Sequence, residues 1–558
     1  MTLHTRVSLL AVLGSFGGLA LAVACSGDSA GPSSLPSCGA HGTQLTLAVG
    51  AYTSIDPASD SGCVTFAANT GADTAEYLVL PWSAGGTPQT AVPFKLQSAA
   101  PLASIAMSRI ASARRSTRGT TALAFDHFLR TLGRSRRYAA VHGSAPVGAA
   151  AVPPSQAAAP PTVGSKRTFK VCADMSCDSL ANVGAVAQSV GAHIAIYIDT
   201  LAPSPGLSPS DLDALKNVFD TRLYPLDTVA FGHVSDIDSN TVVIVLMSNQ
   251  VNKLTPTAEC NASGGAYIAG FFFPGDLAPG FAQNYNNGEV FYSVVPDSTG
   301  TLSCRHKASD VLFGTPVTFT HEFQHMINFV EHVLVKNGDS EDGWLDEGLS
   351  RYAEEIAGRS FGTTDPHFSQ YAINAVSDGY QYLLAPGDTP LMIPADTGTL
   401  AIVGASWLFT RYIVDQFGDS LPGKLVRTAL TGATNVATQT GQPFAQTVSR
   451  WALANWVSDL SGFAAPSELQ YTSWHFRNTY SSLHSQDPTD FPLAYPLVPT
   501  FSAGNAVNIS GKLWSGSGEY LRAVQAPNGA AFTLHFSANG TAAVSPAVAP
   551  RLIALRIR

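Results

Sequence analysis

The sequence has little charge, and the charge that it has is not basic. Only 13% of its 558 residues are charged, and 40 acidic residues outnumber 31 lysines and arginines. The net charge of −9 does not provide the basic surface that phosphate binding needs, so we expect no nucleic-acid partner. A hydrophobic content of 45% still suits a folded, soluble protein. The length predicts roughly two to four domains, because a single core rarely serves so long a chain.

Long apolar runs are also scarce, and the one at the N-terminus is short. It extends from Val7 to Ala24, is broken by glycine and ends in small residues. These features predict a secretory signal over residues 1–24 rather than a membrane anchor. The stretch "LAVAC" resembles a bacterial lipobox with Cys25 as the lipidated residue, although Ala22 stands where leucine is usual. We therefore expect membrane contact only through a lipid anchor, with ordinary secretion as the alternative.

Cysteines are few, and their scattered spacing does not suggest a zinc ribbon. If Cys25 is set aside, six of the seven cysteines remain. In an exported protein this even number predicts three disulfides. Six cysteines allow 15 pairings. Proximity along the chain favours Cys38–Cys63, Cys172–Cys177 and Cys260–Cys304.

Composition divides the rest of the chain into segments. A Ser/Gly/Pro-rich tether covers 25–37. Alternating apolar runs predict a β-sandwich-like domain over 38–100 and a second β accessory domain over 498–558. Residues 101–165 are rich in Ala, Pro and Ser and predict a linker or pro-region, whereas 166–497 combines strand-like and helical runs into one larger unit. The prediction is a multidomain α+β protein with small all-β accessory domains on both sides of that unit.

The predicted linker contains one short helix, "TALAFDHFLRTLG". Its basic residues, including "RSRR" at 134–137, are expected on a solvated face. Proteolytic processing near Arg137 is the alternative.

The stretch "TPVTFTHEFQHMINF", residues 315–329, is the most informative in the chain. Thr315 followed by proline predicts a helix start, and the helix can run to the Asn337-Gly338 stop. His321 and His325 then lie one turn apart on one face, where two imidazoles can bind one Zn²⁺.

In this arrangement Glu322 is placed to act as the general base on a water molecule. The alternative is an accidental match on an ordinary amphipathic helix, so the pattern needs a third ligand.

Three candidates for that ligand follow in the sequence. His332 lies about 10.5 Å further along the helix axis, too far for one ion, and is predicted to be a surface or packing histidine. Asn328 and Glu331 stand where the metzincin pattern would need glycine and histidine. Glu347, in "WLDEGLSRYAEE", can complete a His₂Glu site if a second helix opens at Asp342 and folds back beside the first.

These motifs resemble those of the hyicolysin-like bacterial zinc metallopeptidases, which are gluzincins. The resemblance covers roughly residues 185–460 and rests on "FDTRLYPLDTVAFGHVSDIDSN", "GGAYIAGFF", "THEFQHMINF", "WLDEGLSRYAEE" and "GASWLFTRYIVDQFG". It implies a zincin-like domain within 166–497 and an exported zinc endopeptidase that acts on proteins or peptides. It also implies that His321, His325 and Glu347 are the zinc ligands and that Glu322 is the general base.

The sequence departs from related patterns at two points. Arg351 stands where thermolysin-like enzymes carry an aspartate that orients a histidine, so support for the ligands must come from elsewhere. The aminopeptidase motif G-x-M-E-N is absent, which favours an endopeptidase. Tyr412 lies 65 residues after Glu347, a separation that resembles the aminopeptidase tyrosine and suggests an oxyanion donor. A core tyrosine is the alternative.

Two weaker patterns remain. Residues 288–297, "GEVFYSVVPD", predict either an edge strand that pairs with the substrate backbone or an ordinary core strand. "DIDSN" offers Asp236, Asp238 and Asn240 as oxygen ligands for Ca²⁺, with a plain loop turn as the alternative. The rival functions are a surface adhesion lipoprotein built on a metallopeptidase scaffold and a zinc hydrolase of non-peptide amides.

Overall fold

The computed structural model describes residues 38, 42–88, 90–99, 120–133, 159–261, 266–278, 282–392 and 399–558. The predicted signal, the tether, Cys25 and the "RSRR" run lie outside these residues. Within the described part of the chain, no helix is both long enough and apolar enough to cross a membrane.

The molecule is of mixed α and β type. Its strands are β1 Thr43–Leu45, β2 Tyr52–Ile55, β3 Cys63–Phe66, β4 Ala75–Ser83, β5 Val92–Ser98, β6 Lys166–Cys172, β7 Leu180–Val190, β8 Ile194–Asp199, β9 Val243–Met247, β10 Gly270–Phe272, β11 Val290–Ser293, β12 Thr500–Ala503, β13 Asn508–Leu513, β14 Leu521–Gln525, β15 Phe532–Ser537 and β16 Pro550–Arg556.

The helices alternate with the strands of the central region and then dominate it. They are α1 Thr120–Gly133, α2 Pro209–Val218, α3 Tyr224–Ala230, α4 Asn249–Leu254, α5 Thr257–Cys260, α6 Ala308–Phe329, α7 Gly343–Arg359, α8 Pro366–Leu384, α9 Leu400–Phe417, α10 Leu421–Val426, α11 Gly432–Thr440, α12 Phe444–Val457 and α13 Phe476–Gln486. Two π-helical turns, Phe219–Leu223 and Val330–Val335, follow α2 and α6.

Strands from the two ends of the chain interleave in one β-sandwich. One five-stranded sheet has the order β1-β3-β15-β5-β13 and the other has the order β12-β14-β4-β16-β2. In the second sheet, β4 pairs with β14 on one side and with β16 on the other. The prediction of two separate β domains was therefore wrong. Residue alternation identifies a strand and its buried face, but it does not identify which distant strand is the partner.

The central sheet carries the strands nearest to the candidate site. Its six strands have the order β10-β11-β9-β8-β7-β6. β9 runs parallel to β8 and β11, and β10 closes the sheet as an antiparallel edge strand. β11 is buried between two neighbours, so the prediction of an edge strand at 288–297 was wrong and the core-strand alternative is confirmed. The edge strand is β10, within "GGAYIAGFF".

The sandwich packs directly on the helical part of the chain. The ring of Trp82 on β4 meets that of Trp451 on α12 at 6.4 Å between centroids, edge to face. The Tyr520 hydroxyl donates to the main-chain oxygen of Ala452, 2.7 Å away. These aromatic side chains are buried, and each buries a large apolar area. The indole N–H of Trp451 also donates to the Tyr471 hydroxyl.

The helix that carries the two histidines starts earlier than predicted. α6 begins at Ala308, and Pro316 lies inside it. Thr315 is not an N-cap; its hydroxyl donates to the main-chain oxygen of Val311 within the helix. The predicted start was wrong because packing of the preceding turn, where Val311 is buried, outweighs the local proline signal. The predicted stop is confirmed, since Asn337 adopts a positive φ of 54°.

Three disulfides join Cys38 to Cys63, Cys172 to Cys177 and Cys260 to Cys304. The pairing favoured by proximity is confirmed. Such bridges are typical of proteins from oxidising compartments.

Candidate metal centre and active site

Two helices bring the three predicted ligand residues together. His321 and His325 lie on α6, and Glu347 lies on α7, which begins after Asp342 as predicted and packs beside α6. The two histidine Nε2 atoms are 3.1 Å apart. The carboxylate oxygens of Glu347 lie 3.4 Å from the Nε2 of His325 and 3.7 Å from that of His321. One donor atom from each residue thus points into a common space.

These separations fit a single metal ion. Tetrahedral ligands about 2.0–2.1 Å from Zn²⁺ lie about 3.3 Å from one another, and the three measured separations span that value. Two Nε2 atoms facing each other at 3.1 Å suit a shared cation, because neutral imidazoles can form at most one hydrogen bond there. Oε1 of Glu347 is buried and has no hydrogen-bond partner among the described residues. The cluster therefore has the donor set and the spacing to hold a metal.

A buried carboxylate lies close to the Nδ1 atom of each histidine. Nδ1 of His321 lies 2.7 Å from Oε1 of Glu354, and Nδ1 of His325 lies 3.1 Å from Oδ1 of Asp346. When Nδ1 donates its proton to a carboxylate, Nε2 presents its lone pair to a metal. Sequence reasoning expected such support but did not name these residues. A signal was available, because Glu354 lies two turns beyond Glu347 on the same face of α7.

Arg351, the departure noted in the sequence, holds this arrangement together. Its guanidinium lies 2.9 and 3.0 Å from the two carboxylate oxygens of Glu354 and 3.1 Å from Oδ2 of Asp378. Burial alone would raise the pKa of Glu354, but the charge and hydrogen bond of Arg351 together with those of His321 outweigh burial and lower that pKa below its ordinary value. Glu354 therefore stays ionised and can accept the His321 proton.

The surroundings of His325 favour a positive charge. Burial and the charge of Arg130 lower its pKa, but Asp346 and Glu347 outweigh them and raise the pKa to about 10. Metal binding requires the neutral imidazole and displaces its proton. A field that holds a proton on His325 also favours a divalent cation in the same place.

The side chain of Glu322 extends from α6 to the edge of the central sheet. Its Oε2 accepts a hydrogen bond of 2.8 Å from the main-chain N–H of Phe272, the last residue of β10. The side chain is 5% exposed. The residue predicted as a general base is therefore fixed beside the edge strand, one position after His321.

Gly348 explains part of the "WLDEG" motif. A Cβ at this position would lie 2.3 Å from Oγ1 of Thr410 and 2.7 Å from the main-chain oxygen of Ser406, both on α9. Glycine thus lets α7 and α9 approach closely and fixes the position of the preceding Glu347.

A third element, α1, reaches the same site. The helix predicted within the linker is confirmed as Thr120–Gly133, and its Arg130 is only 7% exposed. The guanidinium lies 3.9 Å from Oε2 of Glu322 and 3.8 Å from Oδ2 of Asp346. The expectation that basic residues of 101–165 lie on a solvated face was therefore wrong for Arg130. Sequence reasoning missed this contact, although Phe125 and Leu129 at i, i+4 spacing signalled a buried face.

Asp126, one turn before Arg130, shares a hydrogen bond with Glu347. Burial and the charge of Glu347 raise the pKa of Asp126 to about 6, against the opposing charge of Arg130. Burial would also raise the pKa of Glu347, but the hydrogen bond from Asp126 and the charge of His325 outweigh it, so that pKa is lowered. Asp126 is thus the weaker acid of the pair, and Glu347 remains a carboxylate.

Two further predicted residues lie apart from the cluster. Tyr412 is buried in α9; its hydroxyl donates to the main-chain oxygen of Glu468, 2.8 Å away, and its ring meets that of Tyr471. These contacts suit the core-tyrosine alternative. His332 is fully buried in the turn after α6, with Nε2 3.7 Å from Oε2 of Glu341. It is a packing histidine rather than a surface one.

The predicted calcium ligands are only partly brought together. Carboxylate oxygens of Asp236, Asp238 and Glu289 lie within 4.8 Å of one another. Asn240 is turned differently: its side-chain nitrogen donates to Asp238, and its oxygen accepts from Val242 N. A guanidinium nitrogen of Arg167 lies 3.6 Å from Asp238 and supplies positive charge there. Calcium binding stays a prediction.

No protein-family model matches this chain, and no curated protein matches it either.

Proposed function

We propose that this protein is an exported zinc-dependent endopeptidase with a zincin-like catalytic domain. The observation that carries the proposal is the convergence of His321, His325 and Glu347 at metal-ligand spacing, with Glu322 fixed beside them. Orienting carboxylates behind both histidines support it, because a protein that only binds a partner needs neither a base nor oriented ligands. The three disulfides support export, and a lipid on Cys25 would anchor the protein to the cell envelope.

The chemistry follows from the residues present. A zinc ion held by the three ligands would polarise the scissile carbonyl and acidify a water molecule. Glu322 then takes the proton of the attacking water and delivers it to the leaving amine. The N–H of Phe272 holds the Glu322 carboxylate at the end of β10.

The edge strand offers a place for the substrate. Among the strands that the structure describes, β10 has one sheet neighbour, β11, on one side, and its last residue contacts Glu322. An extended peptide can add to such an edge by main-chain hydrogen bonds, with its side chains pointing alternately towards and away from the cleft. This binding mode suits cleavage within a chain.

Metal removal tests the proposal. We expect the purified protein to contain one zinc per chain, to cleave casein, and to lose that activity on chelation and regain it with added zinc. Metal analysis and gel electrophoresis of the digest provide the readouts. Zinc without peptide cleavage would refute the peptidase proposal, and parallel assays on an immobilised protein ligand and on non-peptide amides would then decide between the adhesion and amidase alternatives.

Replacing Glu354 by glutamine is expected to lower zinc affinity by roughly 10–100-fold, because His321 would lose its ionised partner. Competition with a metal-buffering chelator measures the change. Glu468→Gln is the matched control. Glu468 accepts a hydrogen bond from the Tyr52 hydroxyl and not from a candidate ligand, so this substitution should leave zinc affinity unchanged. Equal affinities of wild type and Glu354→Gln would contradict the orienting role.

A further inference from the structure

Helix α1 places a complementary pair of charged side chains against the candidate active site. Asp126 is hydrogen-bonded to the ligand Glu347, and Arg130 lies 3.9 Å from the base Glu322. The two α1 residues also bind each other, with 3.1 Å between guanidinium nitrogen and carboxylate oxygen. Two residues one turn apart thus engage both a ligand and the base.

The apolar face of α1 lies along the edge strand. Phe125 is buried, and its ring packs edge to face on that of Phe271 in β10, with 5.1 Å between centroids. Leu129 is fully buried. A cavity beneath the helix is lined by Leu129, Arg130 and Gly133 on one side and by Phe272, His325 and Asp346 on the other.

The contacts of α1 are those that a substrate would use. A peptide paired with β10 needs the space over Phe271 and Phe272, and its scissile bond must lie beside Glu322 and Glu347. The ring of Phe125 on α1 packs on Phe271. Asp126 and Arg130 of α1 lie beside Glu347 and Glu322. Helix α1 and a substrate bound in this way would therefore compete for the same space.

The charged side chains of α1 also suit a segment that docks on the site. Burying Arg130 and most of Asp126 is costly, and well-packed apolar residues often stabilise a protein as much or more. The pair does match the charges of the site, which is the arrangement that gives an interface its specificity.

We propose that α1 is an inhibitory segment of this chain that covers the active-site cleft, with Asp126 seated on Glu347 and Arg130 on Glu322, and that the enzyme acts once the helix leaves. The inference rests on the proposed peptidase function. The alternative is that α1 is a permanent part of the site and that Arg130 assists catalysis.

Two substitutions should release the helix. Leu129→Asp puts a charge into its buried face, and Arg130→Ala removes its contacts with Glu322 and Asp346. Ala124→Asp is the matched control, because it adds the same charge at an exposed position of α1. With a fluorogenic peptide as substrate, we expect kcat/KM to rise about tenfold or more in both release variants. This is the rise expected if the covered state of the wild type is favoured over the open state by about 10:1. The control should equal wild type.

Two further measurements do not depend on activity. Hydrogen exchange should show protected amides in 120–133 of the wild type and the Ala124→Asp control, and lost protection in Leu129→Asp. Zinc should pass to a coloured chelator faster from both release variants than from wild type, because the helix no longer covers the ligands.

The outcomes separate this proposal from the one on which it rests. Equal or lower activity of the release variants, with 120–133 shown to be released, overturns inhibition while the peptidase function stands. Chelator transfer at the same rate in all variants also overturns it, because the ligands were then never covered. If wild type and released variants all bind zinc but cleave no peptide, both proposals fail.

Discussion

Replacing Glu322 by glutamine is expected to reduce peptide cleavage by about 10²–10⁴-fold, the usual contribution of a positioned general base. Glutamine keeps the size of the side chain, and its oxygen can still accept the Phe272 N–H. It cannot take a proton from water. Because Glu322 is not one of the three converging donors, zinc content should remain at one per chain.

The measurement uses kcat/KM on a fluorogenic peptide together with metal analysis of the same samples. It is made in the wild-type chain and in Leu129→Asp, so that covering by α1 does not hide the difference. Glu331→Gln is the matched control: it lies just beyond α6, is also buried, and accepts from the His233 N–H rather than from the edge strand. Cleavage by Glu322→Gln at the wild-type rate would exclude the proposed mechanism.

The second large effect is expected on zinc affinity, when Glu347, the proposed third ligand, is replaced. Glu347→Ala is expected to lower zinc affinity by more than the roughly 10–100-fold typical of losing an orienting carboxylate, because a ligand itself is removed. Peptide cleavage should fall with zinc occupancy. The reason is geometric: the two histidines on α6 supply only two donors, and Glu347 of α7 is the third donor within reach.

His332→Gln provides the contrast. This histidine continues the same helical run and is buried like a ligand, but it lies about 10.5 Å along the axis from His325 by helical rise. Zinc content should therefore be unchanged, even if stability falls. Equilibrium dialysis at buffered free zinc compares the variants. If His332→Gln loses zinc and Glu347→Ala keeps it, the ligand assignment is wrong.

The burial of α1 could not be predicted from the sequence around it. Its flanking composition predicts a linker, and local reasoning placed its basic residues in solvent. Burial of Arg130 depends on Phe125 packing on the edge strand and on the contacts of Arg130 with Glu322 and Asp346 on two other helices, and these contacts join residues distant in the sequence. Helix formation was predictable from the 3.6-residue period, but the docking surface was not.

The pairing of strands could likewise not be predicted from the sequence. Strands within 38–100, 166–497 and 498–558 were predicted because apolar patterns are local properties. That β4 pairs with two strands from the other end of the chain, and that β11 is interior while β10 is the edge, depends on which surfaces are buried together. A single sequence does not specify that choice.

The sequence by itself determined the candidate ligand pair and the candidate base, because an i, i+4 spacing on a helix places His321 and His325 on one face whatever surrounds them. It also determined the second helix with Glu347 and favoured the three disulfides, which join near neighbours in the chain. Only the tertiary structure decided that Asp346 and Glu354 orient the histidines, that Arg351 supports Glu354, and that α1 lies over the cleft. These contacts arise from packing between helices distant in sequence, where side-chain direction and burial, rather than local propensity, choose the partners.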